Sequence, residues 1–81
     1  MTLKQLRESK YLMQFEVAQK LDVSPSIVSL WESGKRQPDL RSIRELAVVY
    51  GVTPEVVQQA AQDTQSQKDT ETHHTYHEQQ A

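Results

Sequence analysis

Apolar residues recur at helical spacing in five short runs between residues 2 and 62, and start or stop signals bound most of them. Thr2 with Gln5 three positions on forms a capping box for a first helix with Leu3 and Leu6 inward, ending near Lys10. A second helix fits Gln14 to Leu21, where Val17, Ala18 and Leu21 share one face; Met13 is a poor cap for it. Asp22 and Val23 make a tight connection to Ser24-Pro25, which pairs a capping hydroxyl with a proline at the first helical position. The third helix then runs from Pro25 to about Ser33, with Val23 and Val28 at staple positions and Gly34 as a left-handed stop. Asp39 caps a fourth, with Leu40, Ile43, Leu46, Ala47 and Tyr50 inward and Gly51 ending it. Thr53-Pro54-Glu55 opens a fifth, with Val52 placed to staple onto Val57. No segment alternates with period two, so the class is all-α.

Beyond Gln62 the pattern stops. From Asp63 on, only Tyr76 and Ala81 are appreciably hydrophobic, too little to offset the entropy of ordering. A domain over 1–62 and a disordered tail over 63–81 are expected. The net charge of −2 divides accordingly: residues 1–62 carry eight Lys or Arg against seven Asp or Glu, and the tail one Lys against four acids. A nearly neutral domain still binds a polyanion if its cations share a face, because phosphate contacts respond to local charge. The absence of Cys, of a leader-like apolar stretch near Met1 and of any run long enough to span a bilayer points to a cytoplasmic protein with no membrane partner. His73, His74 and His77 have ligand-like spacing, but Thr70, Thr72 and Thr75 disfavour a helix there, and a solvated tail accounts for them without a metal. Nothing calls for a cofactor. The chain is too short for a deep cleft, its histidines all lie in the tail, and its only glycines are Gly34 and Gly51, so no phosphate loop exists and an enzyme is not expected.

The stretch from Gln14 to Lys35 carries function. Two helices joined by a short turn match the DNA-binding helix-turn-helix, whose second helix lies in the major groove. Gln14, Val17-Ala18, Leu21, Val23-Ser24, Val28-Ser29, Trp31-Glu32, Gly34-Lys35-Arg36, Pro38 and Gly51-Val52 stand at one family's spacing, and over roughly residues 2–60 the chain resembles the Cro and phage-repressor (Xre-type) family. That resemblance implies a five-helix lambda-repressor-like fold, double-stranded DNA as partner and a homodimer on an inverted repeat. The implied DNA-facing residues are Gln14, Ser24, Pro25, Ser26, Ser29, Leu30, Lys35 and Arg36, with Gln14, Lys35 and Arg36 on phosphates.

Trp31 and Val28 lie on the inward stripe and read as core, and Glu32 reads as an internal hydrogen-bond partner. Pro25 and Leu30 stand where Gln, Arg or Lys are usual in the family, and neither makes bidentate base contacts. They are expected against thymine methyls, with Ser26 and Ser29 hydrogen-bonding to bases or phosphates. Val56, Ala60 and Ala61 are candidates for the subunit contact or equally for the core. Repression is the expected outcome, since a bound protein blocks a promoter without further equipment. The competing expectation is a protein-interaction module, such as an antitoxin or a regulator that sequesters another protein, with the tail as a possible contact.

Overall fold

The computed structural model describes the backbone of residues 1–80 and the side chains of residues 1–67. Five helices follow one another: α1 (Leu3–Ser9), α2 (Gln14–Leu21), α3 (Pro25–Glu32), α4 (Leu40–Tyr50) and α5 (Pro54–Gln80), with no strand among the described residues. The expected all-α class holds. α2 packs on α3 and α4, while α5 closes the core against α1, α3 and α4. Val17, Val28, Leu46 and Val57, one from each of four helices, are the largest fully buried side chains.

Local chemistry explains the boundaries. The Thr2 hydroxyl accepts from the Gln5 N–H at 3.2 Å while the Gln5 side chain accepts from the Thr2 N–H at 2.8 Å, completing the capping box. Four helices end on one device, in which a residue just past the helix enters the left-handed region and its own amide and the following one turn back to donate to the last carbonyls. Tyr11, Asp22, Gly34 and Gly51 occupy that position with φ of 58°, 58°, 78° and 66°. After α3 the bonds run from Gly34 N–H to the Trp31 carbonyl and from Lys35 N–H to that of Leu30; after α4, from Gly51 to Val48 and from Val52 to Ala47.

Two local expectations are corrected. The Ser24 hydroxyl does not cap α3: the Ile27 N–H that it would accept is taken by the Ser24 backbone carbonyl at 3.1 Å, leaving the exposed hydroxyl out of the cap. Leu40 does not face inward and is 57% exposed. It opens α4, one turn before the buried stripe of Ile43, Leu46, Ala47 and Tyr50, and lies on the rim of a groove lined by Ile43, Gln58 and Ala61.

α5 also runs on through residue 62 without a break. Val57, Ala60 and Thr64 form one buried stripe, and the Thr64 hydroxyl accepts from the Leu3 N–H at 3.0 Å while donating to the Ala60 carbonyl at 2.8 Å. It thereby satisfies a backbone donor that the first turn of α1 leaves without a helical partner. Asp63 meets the Met1 ammonium at 2.8 Å and Gln65 reaches the Gly34 carbonyl at 2.7 Å. Packing onto the domain therefore continues to Gln65, past the boundary expected after Gln62. Of the tail expected over 63–81, the side chains beyond Gln67, those of His73, His74 and His77 among them, lie outside the described residues.

Asp39 caps α4 by accepting from the Ser42 N–H at 2.8 Å, and that backbone hydrogen bond holds its carboxyl below the ordinary value of 3.8. A carboxyl depressed by folding adds stability above its unfolded value and loses it as the pH falls through the folded one. Stability is therefore expected to decline once the pH drops below about 4. Asp39→Asn, which keeps a capping oxygen but cannot titrate, should shrink that decline and change neutral stability little. Urea midpoints at about pH 7 and about pH 3 measure this; an identical acid decline in the variant would remove Asp39 from the account.

Candidate nucleic-acid interface

The turn between α2 and α3 is the left-handed Asp22 followed by Val23, whose N–H bonds to the Ala18 carbonyl at 3.0 Å. Ala18, 1% exposed, lets the two helices approach closely. On α3 the inner stripe is Val28 and Trp31, at 1% and 5% exposure, with Val23 and Ile27 packed against the same core. Trp31 is a core residue, as its place on the inward stripe required. Anchoring on that side presents the other: Ser24, Pro25, Ser26 and Ser29 are exposed and Leu30 is half-buried. The structure thus brings the α3 candidates together along one side and around the start of the helix.

Lys35 and Arg36 follow directly. Both side chains are exposed, and both backbone N–H groups donate to the Leu30 carbonyl, at 3.1 and 3.2 Å. The two cations are consequently fixed to the end of α3 by their main chain. From the other side Gln65 of α5 donates to the carbonyl of Gly34, the residue before Lys35. Sequence reasoning missed this brace. The signal was the spacing of Val57, Ala60 and Thr64, disguised because Thr64 is polar.

Gln14 is half-buried, and its amide Nε2 donates to Glu32 Oε1 at 3.0 Å. Glu32 is the internal partner it was read to be, and its chief contact is Arg7, which the sequence reading left out. Arg7 Nε and Nη2 donate to the two Glu32 oxygens at 2.7 and 3.0 Å, and Nη1 donates to the Leu12 carbonyl at 2.9 Å. The hydrogen bond to Glu32 raises the Arg7 guanidinium above its ordinary value, and burial pushes the Tyr50 hydroxyl up in turn. One ion pair, with side chains 11% and 5% exposed, ties together α1, the α1–α2 connection, the start of α2 and the end of α3. A second N–H on the Gln14 amide is left over from the bond to Glu32. Among the described residues no group of His, Asp or Glu is placed to hold a metal, and no helix is long and apolar enough to cross a membrane.

Comparison with known proteins agrees with this geometry. A family model described as helix-turn-helix matches residues 3–57. A curated protein of Enterococcus faecalis, the HTH-type transcriptional activator BcrR, is 41% identical over 51 residues, which is 63% of this chain. The match spans 25% of that relative's length. No solved structure matches.

Proposed function

Because this chain belongs to the helix-turn-helix family, of the Cro and phage-repressor type, we propose that it is a sequence-specific DNA-binding regulator of transcription whose α3 enters the major groove. The observation that carries the reading is the two-sided character of α3. Val28 and Trp31 hold one face in the core while Pro25, Ser26 and Ser29 are left for a partner, with the fixed cations Lys35 and Arg36 immediately after.

In this reading Lys35, Arg36 and the second N–H of Gln14 bind phosphates and set the register. Ser24, Ser26 and Ser29 hydrogen-bond to bases or phosphates, and Pro25 and Leu30 meet thymine methyls. The protein acts by occupancy rather than by catalysis, and repression is its outcome, because an occupied promoter excludes polymerase with no further surface. BcrR carries activation in its name, but the part in common is a quarter of that protein. The protein acts as a dimer on two half-sites. Ala60 belongs to the core, at 2% exposure, so the subunit contact falls to the exposed Val56 and the partly buried Ala61 on α5.

Selection from a randomised duplex library at two salt concentrations, with a Lys35→Ala/Arg36→Ala variant beside the wild type, tests this. The wild type is expected to enrich an inverted repeat with half-sites roughly 34 Å apart or a multiple of that. The variant should bind all sequences more weakly and lose about two from its salt slope per protomer, one for each lost phosphate contact. No enriched sequence, with an unchanged slope in the variant, would refute the reading and favour a protein-binding role.

A further inference from the structure

Phe15 and Met13 are 53% and 59% exposed, although they flank Gln14 at the start of α2. The buried face of that helix is already made by Val17, Ala18 and Leu21, so these two large apolar side chains take no part in the core. Together with Arg7, Gln14 and Pro25 they line an open cavity of about 400 Å³.

Two features define what fits there. The guanidinium on its wall is spent, since Arg7 is held by both Glu32 oxygens and the Leu12 carbonyl. The cavity therefore offers no free cation to a phosphate. Pro25, which also lines the cavity, is the first residue of α3, and the N-terminal residues of a helix-turn-helix second helix contact base edges. The cavity is thus continuous with the DNA-facing side at the level of the base edges, where the apolar group that the major groove presents is the C5-methyl of thymine.

We propose that Phe15, with Met13 and Pro25, forms a specificity pocket for the methyl group of a thymine facing the start of α3. This rests on the DNA-binding reading and extends it, because it moves part of the base discrimination off α3 and onto α2.

Duplex selection is run with the wild type and Phe15→Ser, an exposed substitution whose melting midpoint should match the wild type. Each thymine of the selected duplex is then replaced by deoxyuridine, which removes only the methyl. At one position the loss is expected to cost the wild type about fourfold in affinity, the worth of one buried methyl group, and the variant less than twofold. Equal costs in both proteins at every thymine would overturn the pocket and leave the DNA-binding reading standing. Failure of the wild type to select any sequence would overturn both. A variant with unchanged DNA affinity but weakened self-association would make the patch a contact between copies of the chain, which also overturns the proposal.

Discussion

Glu32→Ala is expected to cost the domain a large share of its stability, about 3–5 kcal/mol, because it leaves the largely buried Arg7 guanidinium without its main acceptor. Small domains are stable by about 5–15 kcal/mol in all. At roughly 4–8 °C per kcal/mol, the melting midpoint should fall by about 12 °C or more. The loss spreads, since the same carboxylate also accepts from Gln14 at the start of α2. Arg7→Met/Glu32→Leu should be much more stable than the single variant, because two apolar side chains leave neither charge unpaired. Melts of wild type, single and double variants followed by circular dichroism make the comparison. A single variant within about 1 kcal/mol of the wild type would mean that water reaches Arg7 and that the pair is an ordinary surface bridge.

Trp31→Ala is the second large effect. The side chain is the only tryptophan and is 5% exposed on the inner face of α3, so its removal opens a cavity directly beneath the helix proposed to read DNA. The expected cost is about 3–5 kcal/mol, whereas Trp31→Phe keeps most of the volume and should cost less. Where the alanine variant is still folded, its DNA affinity should also drop, because α3 retains Val28 as its other deeply buried anchor and loses a fixed orientation. Equilibrium denaturation followed by circular dichroism reports the first effect and titration with the selected duplex the second. A stability loss below about 1 kcal/mol would show that Trp31 is not a core residue.

Much of the fold was legible because its signals are local. The capping box of Thr2 and Gln5, Pro25 at the start of α3, and the left-handed stops at Gly34 and Gly51 act over three to five residues and need no knowledge of the rest of the chain. The inward placement of Val28 and Trp31 followed from helical period alone, and with it the outward placement of Pro25, Ser26 and Ser29. Phe15 drew no notice in the sequence, because its meaning depends on Pro25 of the next helix lining the same cavity.

Contacts between residues distant in the chain were not legible. Arg7 meets Glu32 across 25 positions, Gln65 meets Gly34 across 31, and Thr64 meets Leu3 across 61. A polar residue at a core-facing position looks like surface until its partner is known, since burial of a hydroxyl or a charge is tolerable only when another group satisfies it. Thr64 and Arg7 are such residues, and the packing of the first lies past the pattern read from apolar residues alone. Leu40 shows the converse: an apolar residue in register with a buried stripe stays exposed at the first turn of its helix, on the rim of the groove between α4 and α5. Period and capping decided where each helix lies and which face it buries, because those are properties of a few adjacent residues. The mutual arrangement of the helices decided which polar groups went inside with them, because only there do donors and acceptors from remote segments meet.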